Sequence, residues 1–344
     1  MRELGVTALR FAREELLRSH DYARPQVVAG HRLHGGFDAG GRYIPPRSLV
    51  RAPAVTAWTD ALRKRGGDLL AADASLLAGV RMPNEAQGRL LLREGLGQTF
   101  WNQLTVTGKI EARGRVLRDL PLPSLAEAVH EDASEWAIGH LQGGLLEAHG
   151  LDEGGEPERG IGGHDVMWFA LRDLAFGPVD FPDAEVPERI GRDEDAEAAV
   201  PAIPLAIERT VSFLMNLLVI EFRAELAFSF TEAMLRDPEL FRERRAGALE
   251  AAEVVGRIRA DEAIHVASLR LYLGELRHAT FRGRDGGRVP GAEVVDPLWE
   301  RLAHWATVEQ PRLVAEQQRE LYRGRIAAHP EGARVWAEFE RLGD

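Results

Sequence analysis

The segment "RADEAIHVASLRLYLGEL", residues 259–276, sets Asp261, Glu262 and His265 inside an otherwise apolar helical pattern. Glu262 and His265 are three residues apart, so a helix carries both on one face. A buried carboxylate costs several kcal/mol unless it is paired, hydrogen-bonded or bound to a cation. The same E-x-x-H spacing recurs at Glu127 and His130. Three further carboxylates, Glu94, Glu221 and Glu225, stand among apolar residues in two other helical patterns. Four Glu and two His drawn from four helices form the donor set of a dinuclear iron or manganese carboxylate site. Carboxylates bridge and neutralise two hard cations, and neutral imidazoles complete the coordination while leaving positions open.

The elements that must position these residues read as helices. Residues 83–108 start at Pro83-Asn84 and are expected to end at Gly108, and residues 124–150 run from an N-cap Ser124 to a terminal Gly150. A crossover of about fifty residues follows, long for a connection inside a compact domain. It contains the short helical pattern "GGHDVMWFALRDLAFG" and an acidic loop, "DAEVPERIGRDEDAEAA". Residues 203–237 and about 249–278 form the second pair of long helices, ended by "TFRGRDGGRVPG". Residues 1–50 read as a helix followed by loop, 54–80 as two short helices with no run of alternating strands, and the last fifty residues as amphipathic helices. The expected architecture is therefore all-α: a four-helix bundle over 83–278 with one long crossover, an N-terminal helical extension over 1–82 and C-terminal helices over 279–344, packed as one compact domain.

This layout and its motifs resemble the ferritin-like di-iron carboxylate superfamily, and "DEAIH" is the closest match, since D-E-x-x-H recurs in the last bundle helix of its oxidases and oxygenases. In such folds the first Glu and the following E-x-x-H lie about thirty to forty residues apart. The separations here are 33 residues from Glu94 to Glu127 and 37 from Glu225 to Glu262. The resemblance implies two iron ions between Glu94, Glu127 and His130 on one side and Glu225, Glu262 and His265 on the other; manganese accepts the same ligands. It implies O2-dependent oxidation of a small organic substrate, with electrons from an external donor and no catalytic groups beyond the metal ligands.

Several assignments stay open. Ser124-x-x-Glu127 is also a capping box, and in that reading the site moves up the helix to Glu131, Glu135 and His140, the last reached through a π-bulge. Glu221 and Glu225 share a face, so one is a ligand and the other supports a ligand His; Asp261 has the same supporting role. Gln98 and Trp101, with Glu94 and Asn102, follow one stripe that would wall a substrate channel. His164 and Asp165 sit at a helix start, where Asp165 is expected to cap, and His149 is expected to meet a helix C-terminus. Two alternative functions are a ferroxidase or iron-binding protein and a metal-free helical scaffold.

Bulk composition removes other classes. A net charge of −11 argues against a nucleic-acid partner. The absence of Cys excludes disulfides, thiolate sites and a Cys nucleophile, and fits a cytoplasmic location. The charged N-terminus does not read as a signal peptide, and the longest apolar tract, "VSFLMNLLVI", is too short for a membrane span. No zinc-protease motif, phosphate loop or nucleophile elbow is present. The amphipathic C-terminal helices either close the bundle or form a homodimer surface.

Overall fold

The computed structural model describes residues 8–79, 83–188, 190–192 and 197–343. Helices dominate. In chain order they are α1 (Arg13–Leu16), α2 (Arg51–Lys64), α3 (Glu85–Arg93), α4 (Gln98–Gly114), α5 (Leu125–Ala128), α6 (Leu146–Gly154), α7 (His164–Phe176), α8 (Leu205–Arg236), α9 (Arg245–His278), α10 (Gly291–His304), α11 (Gln310–Ala327) and α12 (Gly332–Arg341). The longest, α8 and α9, lie against each other; α7 packs on both α4 and α9, and α4 on α6.

Helix α8 is apolar on most of its circumference, which is the signature of a helix covered on all sides. Val211, Leu214, Met215, Leu218, Val219 and Phe222 are all buried. The largest core cluster gathers residues from Leu16 to Ala306 around α8 and the second half of α9. A second surrounds Trp168 of α7, with Phe100 and Leu104 of α4 and Phe228 of α8.

The region before α2 differs from the helix-and-loop expectation. Strands β1 (Arg24–Val28), β2 (His31–Phe37) and β3 (Tyr43–Ile44) form a small antiparallel sheet in the order β1-β2-β3. Ala29 and Gly30, both at positive φ (48° and 82°), make the tight turn between β1 and β2. Of the predicted N-terminal helix only the turn α1 is helical among the described residues, and residues 1–7 lie outside them. The breaker after α9 is itself a hairpin, β4 (Thr280–Arg282) with β5 (Arg288–Pro290).

Two of the four predicted long helices are interrupted. The first divides into α3 and α4 at Glu94–Gly97, where Gly95 has φ 77°, and it then runs past Gly108 to Gly114. The second is replaced by α5, short 3₁₀ turns and a kink at Gly143–Gly144, and it becomes regular only in α6, which continues past Gly150 to Gly154. Both glycines proposed as stops are sites of close approach. A Cβ on Gly108 would stand 2.8 Å from the Phe169 ring, and one on Gly150 would stand 2.8 Å from the Arg118 backbone nitrogen.

Candidate metal centre

Helix α6 poses the question most sharply. Eight of its nine residues are buried, and they include His149, Asp152 and Glu153. So many buried polar groups need partners. The partners come from four other helices. Glu262 and His265 face inward from α9 and Glu221 from α8, all at 5 % exposure or less. His164 is the first residue of α7, and the part-buried Glu111 lies in the last turns of α4.

The loop between α6 and α7 has to double back to bring His164 beside Glu153, and glycine permits it. Gly155 has φ 62°, and a Cβ on Gly163 would fall 2.3 Å from the Gly155 nitrogen. Strand β2 pins this loop from outside through the His34 N–H, which donates to Gly162 O at 2.9 Å.

The seven side chains fall into two groups that share one member. His149, Glu153, Glu221 and His265 form the first; Glu111, Glu153, His164 and Glu262 form the second, and in each group the potential ligand atoms lie within 4.8 Å of one another. Glu153 Oε1 is 3.3 Å from both His149 Nε2 and His265 Nδ1, and its Oε2 is 3.6 Å from His164 Nδ1. Glu262 also divides its oxygens, with Oε2 2.6 Å from His265 Nδ1 and Oε1 2.9 Å from His164 Nδ1. Glu221 Oε1 is 3.0 Å from His149 Nε2. The His149 and His265 rings stack with centroids 3.8 Å apart.

The donor set fits a pair of divalent cations. Ligands about 2.1 Å from an ion are about 3.0–3.4 Å from each other in octahedral or tetrahedral geometry. Among the described residues, the buried atoms His149 Nε2, His164 Nδ1 and Glu262 Oε1 have no hydrogen-bond partner, despite neighbours at these distances. They converge without aligning as donor and acceptor. Four carboxylates with neutral imidazoles match the charge of two divalent ions. The close packing of these groups shifts their proton affinities in opposite directions. Burial and the neighbouring Glu153 push Glu111 well above the usual range, while Glu153 is held well below it because the Glu111 hydrogen bond and His164 outweigh burial. Burial and the charge of Glu262 raise Glu221 to about 8. Burial and Glu153 act upward on Glu262, but His265 and His164 outweigh them and hold it at about 2. Burial acts against charge on His164 and His265, yet the carboxylates around them raise both. Cations entering such a site displace protons.

The far nitrogens of two of these imidazoles are also engaged. His265 Nε2 is 3.0 Å from Asp152 Oδ2, and His164 Nε2 is 3.3 Å from Asp261 Oδ2; both Asp residues are 0 % exposed. A ligating His commonly directs its second nitrogen to a carboxylate in this way, which fixes the ring orientation.

Of the residues read from the sequence as ligands, their supports or channel walls, Glu221, Glu262 and His265 lie in the cluster and Asp261 directly behind it. The others lie elsewhere. Glu225 points away from the cluster and pairs with Arg259 at 2.5 Å. Glu94 ends α3 and pairs with Arg334 at 2.6 Å. Glu127 is exposed, and its N–H donates to Ser124 Oγ at 3.3 Å, so the capping role of Ser124 accounts for this motif. The His130 N–H donates to Thr280 O at 2.8 Å, and the Glu131 carboxylate accepts from Thr280 N at 3.0 Å. Glu135 lies 3.7 Å from Arg10. His140 Nε2 accepts from Phe11 N at 3.1 Å beside the Trp58 ring. Gln98 and Asn102 line a cavity of about 780 Å³ against α11, whose lining includes no cluster residue. Trp101 is buried, with the Arg172 guanidinium 4.7 Å above its ring. Asp165 lies inside the first turn of α7, whose N-cap is Gly163.

The sequence does not mark four members of the cluster as ligands: Glu111 and Glu153 stand in no motif, His149 reads as the partner of a helix C-terminus, and His164 reads as a residue at a helix start. Two sequence signals point to His149 and Glu153. His149 and Glu153 have i,i+4 spacing, and the doublet Asp152-Glu153 repeats Asp261-Glu262. The chain itself matches no family model, curated protein or solved structure.

Proposed function

We propose that this protein binds two divalent metal ions and uses them with O2 to oxidise a small organic substrate. The observation that carries the reading is Glu153, whose two oxygens face two different groups of buried ligands. His149, Glu221 and His265 would hold one ion and Glu111, His164 and Glu262 the other, with Glu153 between them. Iron is the metal the superfamily resemblance favours, and such a pair supplies electrons to O2; manganese suits the same donors. In this reading α4, α6, α8 and α9 are the four helices of a ferritin-like bundle, with α7 adding His164.

The chain's own residues have defined tasks. The Asp152 and Asp261 carboxylates orient the His265 and His164 rings. Glu111 and Glu221, whose burial favours the protonated form, give up protons as cations enter and so keep the site neutral. Met167, Trp168 and Phe222, all buried, help to exclude water. Electrons come from an external donor. Among the described residues no helix is long and apolar enough to cross a membrane, and the net charge of −11 favours small-molecule partners over nucleic acid.

Anaerobic loading with Fe(II) followed by O2 exposure tests the activity. Consumption of O2 coupled to a reductant and an added organic substrate supports an oxidase or oxygenase. O2 consumption that stops once the iron is oxidised, whatever the reductant, overturns it in favour of a ferroxidase. No metal uptake overturns both and leaves the helical scaffold.

A further inference from the structure

Among the side chains with which the N-terminal extension reaches the centre is the Arg47 guanidinium. Arg47 is 4 % exposed and has φ 46°. A non-glycine residue is strained in that backbone conformation and needs its neighbours to hold it there. Ser19 Oγ accepts the Arg47 N–H at 3.1 Å and holds it there. From this position the side chain heads two chains of contacts. Nε and Nη2 donate to Asp152 Oδ1 at 2.9 and 2.6 Å, and Asp152 Oδ2 meets His265 Nε2. Nη2 also lies 3.4 Å from His34 Nδ1. His34 Nε2 is 3.2 Å from Asp261 Oδ2, the oxygen that faces His164 Nε2 and accepts from the Tyr43 hydroxyl at 2.9 Å.

The two chains end on histidines of different groups, His265 in the first and His164 in the second. Arg51, the neighbouring buried cation, touches Asp152 Oδ2 at 2.5 Å and so serves the first group alone. His34, His164 and Asp261 also gather closely enough to suggest a third cation site. The Arg47 guanidinium beside His34 already supplies positive charge there, and the Tyr43 hydroxyl occupies Asp261.

We infer that Arg47 is a positioning residue for both metal positions at once, orienting His265 through Asp152 and His164 through His34 and Asp261. This rests on the dinuclear reading above. Partners behind a metal ligand are commonly worth 10–100-fold in metal affinity.

Anaerobic Co(II) titration, followed by visible absorption and by dialysis stoichiometry, tests the inference without turnover. Wild type, Arg47→Met, Arg47→Lys and Arg51→Met are compared. Arg47→Met is expected to weaken both equivalents by about 10–100-fold and to change both absorption bands, whereas Arg51→Met weakens one. Arg47→Lys keeps the charge without the fork, so it rescues the Asp152 arm only, and it replaces the Met variant should that fail to fold by circular dichroism. Two unchanged equivalents in the Arg47 variants, or loss confined to one in Arg47→Met, overturn the inference. If wild type takes up no cobalt, the dinuclear reading fails, and the ring ¹⁵N signals of the metal-free protein decide the positioning role. Movement of both the His164 and His265 signals in Arg47→Met sustains it, and unmoved signals overturn it.

Discussion

Glu275 provides a quantitative test of how the core was built. It is 0 % exposed on α9, and its two oxygens accept from Ala137 N at 3.1 Å and Ile138 N at 2.9 Å, with Arg65 Nη2 at 3.5 Å. Burial outweighs these donors and raises its pKa from 4.5 to about 7. A carboxyl raised on folding contributes stability that is present below its unfolded pKa and lost as pH rises through the folded one. The window is therefore pH 4.5 to 7. At about 1.36 kcal/mol per pH unit the loss is about 3.4 kcal/mol, or about 5 °C in Tm for a chain of this length. Glu275→Gln removes the ionisation but leaves one backbone N–H without an acceptor, at about 1 kcal/mol. With chelator present, the variant should melt below wild type at pH 5 and about 3 °C above it at pH 8.5, where the ionisation cost exceeds the lost hydrogen bond. A Tm difference that does not move with pH would refute the reasoning and show that the backbone donors and Arg65 fully offset burial.

Other expectations follow from single contacts. Glu111→Ala should lose metal from the second group while Glu94→Ala keeps both ions, as read by metal-to-protein ratio after dialysis, because Glu94 is engaged by Arg334 far from the cluster. Gly150→Ala should lower stability by about 1–3 kcal/mol in urea unfolding, since the clash with the Arg118 backbone exceeds the gain in helix propensity. Trp58 is fully buried, donates to Leu9 O at 3.1 Å and packs on Phe11 and His140, so Trp58→Ala should cost about 3–5 kcal/mol in the same assay.

The helical class and the long partners α8 and α9 were legible because both are long runs rich in Ala, Leu and Glu with no Pro to break them. So were Glu262 and His265, the carboxylate and histidine of a single apolar helix. The first half of the site was obscured by glycine. Gly108 and Gly150 look like stops in one dimension, but each makes room for a neighbour that only the fold supplies, Phe169 in one case and the Arg118 backbone in the other. Ending the helices there left Glu111 and Glu153 outside them and drew attention to Glu94 and Glu127. The small sheet was hidden for a related reason. "HRLHGGFDAGG" has few β-branched residues, and its strands are held by their ladder and by Gly162 rather than by intrinsic preference. His34, Arg47 and their contacts with the cluster depend on that sheet and could not be read from spacing.

The central claim is that Glu153 joins two groups of buried ligands into one dinuclear site. The most direct measurement is the number of metal ions per chain after anaerobic Fe(II) loading and removal of free metal, in wild type, Glu153→Ala and Glu127→Ala. The account predicts two ions in wild type and in Glu127→Ala, and at most one weakly held ion in Glu153→Ala. Two ions retained by Glu153→Ala, or none taken up by wild type, would contradict it.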